Sequence, residues 1–233
     1  MQVPFFQAKS PARSHGVEAI ATLREVALMR RDILTVLPKA YAGDDVVVLV
    51  HGFFASAGVF RPMRARLEKE ADARVASFSH APGWGVRRIA RQLSELVDRI
   101  PQGTRIHLVG HSLGGLVARW YVQEMGGHQR VAQTISLATP FHGTRLARLR
   151  FLVGNDLHMA STLLDRIRER AHAYDVPHTS IIGTSDVIVQ PTHSAKFHHG
   201  DAIVLEGRGH NTLLFDQEAI DLVVNRVIAA RAV

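Results

Sequence analysis

Apolar positions follow two patterns that alternate along the chain. Short strand-like segments occur at 46–50, 74–79, 105–109, 131–137, 178–183 and 201–205. The first, Val46-Val47-Val48-Leu49-Val50, shows no apolar/polar alternation. A run of this kind describes a strand buried on both faces, as in a parallel sheet covered by helices. Between the runs the spacing becomes helical, at 59–71, 85–100, 112–125, 155–171 and 213–231. The segment 85–100 is the clearest case, with Val86, Ile89, Ala90, Leu93, Leu96, Val97 and Ile100 on one stripe before Pro101. Six strands in alternation with helices predict right-handed crossovers and a mostly parallel six-stranded sheet with helices on both faces and no large cap, an α/β fold. Functional residues are then expected in loops after the carboxyl ends of strands.

Residues 1–14 read as irregular. Residues 15–38 read as one amphipathic helix through Val17, Ile20, Leu23, Ala27, Leu34 and Leu37. Such helices usually serve a core, so it is expected to pack on the body of the protein; a weak association with a membrane surface or a partner is the alternative. No repeat or linker divides the chain. One domain is expected over 1–233, with an N-terminal extension (1–40) and a core (41–233).

The chemistry concentrates at one junction. Gly110-His111-Ser112-Leu113-Gly114 reads G-x-S-x-G and stands where the run 105–109 gives way to a helical pattern. A strand turning sharply into a helix strains the middle residue and holds its hydroxyl out above the sheet, at a helix N-terminus that favours negative charge. Five residues are a weak pattern alone, so a base, an acid and an oxyanion site must be found elsewhere. On this fold they follow in the order Ser, Asp or Glu, His, each just past a strand. Asp186 follows 178–183 and His210 follows 201–205, and both meet the test. Asp201 opens a strand at the wrong edge; Asp165 and Asp175 lie in or after a helix. The first strand runs into His51-Gly52-Phe53-Phe54, which makes the backbone N–H groups of Phe53 and Leu113 the expected oxyanion hole. Phe54, Phe141, Val187, Ile188 and Leu213 stand in the loops beside these groups and are expected to line an apolar substrate pocket, about half of them belonging to the core.

Composition narrows the classes. There is no cysteine among the 233 residues, which excludes disulfides, thiolate metal sites and a cysteine nucleophile. His193, His198 and His199 share a loop but lack a firm ligand spacing, so they are read as surface histidines; no metal and no cofactor is expected. The net charge of +7 rests mainly on arginines scattered over several helices without a nucleic-acid motif, so no nucleic-acid partner is expected. The first ten residues lack the charged start and apolar stretch of a secretory signal, and no apolar run approaches a membrane span. Together with the absent cysteines this points to the cytoplasm.

Val48-Leu49-Val50-His51-Gly52-Phe53, Gly110-His111-Ser112-Leu113-Gly114-Gly115, Ala138-Thr139-Pro140-Phe141-His142-Gly143-Thr144, Ser185-Asp186-Val187-Ile188-Val189 and Gly209-His210-Asn211 resemble the bacterial α/β-hydrolase lipases and esterases of the minimal triacylglycerol-lipase type, over about 44–231. The resemblance implies Ser112 as nucleophile, Asp186 as acid, His210 as base and the Phe53 and Leu113 N–H groups as oxyanion donors. It implies a small-molecule ester or lipid as substrate, and a loop-ordering role for His142. Three function classes stay open: a carboxylic-ester hydrolase, a thioesterase or acyltransferase on the same triad, and an idle hydrolase-fold binding module. Helix 155–171 is expected to cover the sheet, with a small lid as the alternative.

Overall fold

A computed structural model describes residues 11–28, 32, 34–145 and 155–231. Its centre is a six-stranded, wholly parallel sheet in the order β2-β1-β3-β4-β5-β6. The strands are β1 (Asp45–Val50), β2 (Arg74–Phe78), β3 (Arg105–His111), β4 (Val131–Leu137), β5 (His178–Gly183) and β6 (Asp201–Leu205). The helices are α1 (Pro11–Leu28), α2 (Arg61–Glu70), α3 (Val86–Asp98), α4 (Leu113–Glu124), α5 (Thr162–Glu169) and α6 (Gln217–Ala229).

The unbroken apolar run of β1 has a direct cause. Val46, Val48 and Val50 enter a core with Ile89 and Leu93 of α3 and Leu116 and Trp120 of α4. Val47 and Leu49 enter a second core with Met63 and Leu67 of α2 and Ile220, Val223 and Val227 of α6. Period-two geometry sends alternate side chains to opposite faces, and both faces are dry, so neither can carry a polar residue.

The polar residue of β1, Asp45, stands at the strand's first position. At the amino edge of the sheet Asp45 takes Arg105 (2.9 and 3.0 Å), His107 Nε2 (2.9 Å) and Arg231 Nε (2.6 Å). Burial opposes its charge, but these donors prevail and hold Asp45 below the usual carboxylate range. His107 stays neutral because burial pushes its pKa down; Nε2–H donates to Asp45 and Nδ1 accepts from Gln133 at 3.0 Å. This network ties β1, β3, β4 and the chain after α6 together at the edge opposite the candidate site.

Three helix expectations need correction. The helix expected over 15–38 spans Pro11–Leu28 instead. Residues 1–10, 29–31 and 33 lie outside the described set. Asp32, between them, has a left-handed φ of 55°, and Val36 forms a β-bridge with Ser77 through two backbone bonds of 2.7 and 3.0 Å. Thr35, Val36 and Pro38 all disfavour a continuing helix. The segment 155–171 divides into a 3-10 turn, Asn155–Leu157, and α5, whose first free N–H groups are served by the Ser161 hydroxyl (Leu163 N, 3.2 Å). Leu163, Leu164 and Ile167 of α5 lie in the core beside α4, and Gln123 of α4 donates to Ile167 O at 3.0 Å. The packing of α5 against α4 matches the covering role expected of this segment. Likewise 213–231 resolves into a turn, Thr212–Leu214, and α6, capped by Asp216 (Ala219 N, 3.2 Å). Among the described residues no helix is long and apolar enough to cross a membrane.

Candidate active site

Ser112 stands between β3 and α4 with φ 53° and ψ −120°, a conformation that L-residues rarely adopt. Its surroundings enforce it. Ser112 N–H donates to Leu137 O at the end of β4 (2.9 Å), and Ser112 O accepts from Gly115 N–H (3.2 Å). At Gly114 a Cβ would collide with Val50 O, so only glycine lets α4 approach β1 this closely. The result places the Ser112 side chain at the N-terminus of a buried helix, where helix dipole and free N–H groups favour negative charge. The Ser112 hydroxyl makes no hydrogen bond among the described residues.

Asp186 and His210 meet although 24 residues separate them. His210 Nδ1 donates to Asp186 Oδ2 at 2.8 Å, with both residues buried. The other oxygen, Oδ1, accepts the backbone N–H groups of Ile188 and Val189, each at 2.8 Å. The loops carrying the pair are tied to one another: Ser185 N–H donates to Arg208 O (2.9 Å) and Gly207 N–H to Thr184 Oγ1 (2.9 Å). Burial alone would lower the His210 pKa. The Asp186 carboxylate, with Glu18 and Glu25 behind it, outweighs burial and raises it.

His111 connects this pair to the serine turn. Its Nε2–H donates to His210 O at 3.1 Å, its ring lies 4.7 Å from the His210 ring, and burial keeps it neutral. The loop after β1 lies against the serine: a Cβ on Gly52 would stand 3.0 Å from Ser112 Cβ. That loop is held by stacked imidazoles, His51 and His80, with centroids 3.8 Å apart. His51 Nε2 accepts the His80 backbone N–H at 3.1 Å, so His51 Nδ1 carries the proton and donates to Gly52 O at 2.8 Å. His80 Nε2–H returns a bond to His51 O (3.3 Å). Burial, reinforced by His80, pushes the His51 pKa down to about 3, which keeps this tautomer through the neutral range. His80 went unrecognised in the sequence, yet it follows β2 at the carboxyl edge, and the strand-end rule could have found it.

The remaining expected site residues separate by burial. Phe54 (48% exposed) and Val187 (56%) lie open beside Gly52 and Asp186, and Phe53 and Ile188 are half-buried. Phe141 and Leu213, expected to line a pocket, belong to the core instead. Phe141 packs against Phe197 (4.9 Å) and His178 (5.3 Å), and Leu213 sits among the α2 and α6 side chains. Leu113, the other expected oxyanion donor, opens α4 with its side chain in the core. His142 is half-buried; its N–H donates to Ser194 O at 3.3 Å and its ring lies 4.3 Å from His198. His193 is exposed and His199 half-buried.

Several solved structures share this architecture. The mature lipase BlEst2 of Bacillus licheniformis is 14% identical, with a TM-score of 0.64 over 83% of this chain and 97% of that one. EstE1, a thermostable carboxylesterase cloned from a metagenomic library, is 18% identical, with a TM-score of 0.61 over 95% and 98%. A thermophilic esterase from Thermogutta terrifontis is 15% identical, with a TM-score of 0.60 over 84% and 94%. At these identities the likeness shows the fold, which is that of the α/β hydrolases. Sequence places the chain more narrowly: the model of a family described as a domain of unknown function, DUF7379, matches residues 21–190, and the chain belongs to that family.

Proposed function

We propose that the protein is a serine hydrolase that cleaves carboxylic esters of apolar acyl groups, with Ser112 as nucleophile, His210 as base and Asp186 as the acid that orients it. The observation that carries this reading is the 2.8 Å His210–Asp186 bond, formed at the sheet edge where Ser112 is held in its strained turn. Asp186 fixes the His210 proton on Nδ1 and leaves Nε2 free to accept. His210 takes the Ser112 proton as Oγ attacks the ester carbonyl. The oxyanion is held by the Phe53 and Leu113 N–H groups, the former on the turn that His51 and His80 brace. His210 then protonates the departing alcohol, and water releases the acyl group by the same route. Phe53, Phe54, Val187 and Ile188 give the entrance an apolar rim, which favours an acyl chain over a charged metabolite. The esterases and lipases among the structural neighbours support the same reaction class.

The test is a substrate panel on the wild-type protein: p-nitrophenyl esters of increasing chain length, acyl-CoA and emulsified triglyceride, with fluorophosphonate labelling read by peptide mapping. Turnover of the esters with the label on Ser112 is the expected result. Activity confined to acyl-CoA would make the enzyme a thioesterase, and inactivity throughout with no label on Ser112 would leave an idle hydrolase fold. The raised His210 pKa adds a sign. The base must be neutral to accept a proton, so kcat/KM should fall on the acid side with an inflection above the ordinary histidine value of about 6.5. An inflection below that value would contradict the arrangement of carboxylates around His210.

A further inference from the structure

Helix α1 reaches the histidine loop from the far end of the chain. Glu18 stands 193 residues from Asn211 in sequence, yet its Oε1 accepts the Asn211 N–H at 2.7 Å. Its Oε2 accepts the Thr212 N–H at 3.0 Å and the Thr212 hydroxyl at 2.6 Å. One turn further along α1, Thr22 Oγ1 accepts from Asn211 Nδ2 at 3.1 Å. Ala21 and Glu25 are buried, and Leu28 O accepts from Ser56 Oγ at 3.3 Å in the loop that leaves β1. Glu18, Ala21, Glu25 and Leu28 follow helical spacing, so one face of α1 spans from the base loop to the oxyanion loop. The approach is close: a Cβ on Gly209 would collide with the Glu18 carboxylate, and glycine there is what admits it.

Resting on the assignment of His210 as base, we propose that Glu18 is a positioning residue. Its carboxylate takes three hydrogen bonds from the two residues that follow His210, fixes the imidazole over Ser112, and makes α1 a working part of the site. Charge-assisted bonds to successive N–H groups are short and directional, and both bonds act on the backbone within two residues of the base. Proton transfer demands the imidazole within a fraction of an ångström of its productive place, so a loosened loop costs rate before it costs binding. Glu18 also acts through its charge. The titratable groups facing His210 are Asp186 from the loop after β5, Glu18 and Glu25 from α1, and His111 from β3. Glu25 is 8% exposed, makes no hydrogen bond among the described residues, and its pKa is raised by burial, with His210 opposing that shift.

Glu18→Gln separates this role from a purely structural strap. The amide keeps the size of the side chain but removes its charge and turns one N–H of its own toward the loop. Compared with wild type on one p-nitrophenyl ester, kcat should fall about tenfold with KM within about twofold, and the acid limb of kcat/KM should move to lower pH. Thr212→Val keeps the carboxylate and deletes one bond; kcat should fall about threefold, with the limb unmoved. Wild-type kcat and an unmoved limb in Glu18→Gln, with at most a lower melting temperature, would make α1 a strap and overturn the proposal. Should Glu18→Gln not fold, Thr212→Val decides, since wild-type kcat there overturns the proposal and a kcat loss at constant KM supports it. A wild type without ester turnover or label on Ser112 is a different failure, which removes the base assignment and the proposal with it.

Discussion

Ser112→Ala is expected to lower kcat/KM for ester hydrolysis by about a million-fold and to abolish fluorophosphonate labelling, with the melting temperature near that of wild type. The two halves of this expectation have separate causes. The structural work at residue 112 is done by its backbone: the N–H bonded to Leu137 O, the carbonyl bonded to Gly115 N–H, and a φ of 53° that alanine must adopt equally. The hydroxyl bonds to nothing among the described residues, so removing it orphans no partner and opens a void of one oxygen atom. In the proposed mechanism, by contrast, all of the chemistry passes through that oxygen. With the nucleophile gone, His210 and Asp186 have no proton to move, and what is left is the oxyanion donors acting on water, roughly a thousandfold or more above the uncatalysed rate. The measurement is initial velocity on a soluble ester beside thermal unfolding of the same sample. A variant that keeps more than a few per cent of wild-type turnover would place the nucleophile elsewhere.

The fold was legible because the sheet is buried on both faces. That burial removes the alternation a half-exposed strand would show, so β1 announces itself as five apolar residues in succession, and Val46/Val48/Val50 and Val47/Leu49 divide between two cores as the pattern requires. The pairing of Asp186 with His210 was legible for a related reason. Parallel strands deliver their following loops to one edge, so chain order and strand ends were enough to bring Asp186 and His210 together as a pair.

Helix α1 was misread because its inward face is polar. Periodicity makes Val17, Ile20 and Leu23 the packing stripe, but they are 49%, 57% and 69% exposed, while Glu18 is half-buried and Ala21 and Glu25 are buried. Hydrophobic periodicity finds a face that buries apolar area. It has no means of finding a carboxylate satisfied by two N–H groups from the other end of the chain. The same limit hid His80, whose place is set by a ring stack and two hydrogen bonds to His51. It also misplaced Phe141 and Leu213: loop position put them near the site, but side-chain direction, which sequence does not carry, put them in the core.

Asp186→Asn should cost about ten thousandfold in kcat while leaving the protein folded, and the reason lies in which atom faces which. In the wild type Asp186 Oδ1 accepts the N–H groups of Ile188 and Val189, and Oδ2 accepts from His210 Nδ1–H. An asparagine has one oxygen, and two backbone N–H groups compete for it against one imidazole. The oxygen stays on the backbone, so the amide N–H is turned toward His210 Nδ1. That nitrogen must then accept, which moves the ring proton to Nε2, the atom that has to take the proton from Ser112. The base is present and in place but in the wrong tautomer. The lost negative charge also removes the chief support of the raised His210 pKa, so the acid limb of the residual activity should fall below that of wild type. Asp186→Ala would be the poorer probe, since it strands the Ile188 and Val189 N–H groups in a buried loop and confounds rate with stability. Glu25 supplies the counter-test. It faces the same histidine from α1 and, unlike Glu18, makes no hydrogen bond among the described residues. If Asp186→Asn stayed within tenfold of wild type while Glu25→Gln lost activity, the acid of the triad would belong to the N-terminal helix and not to the loop after β5.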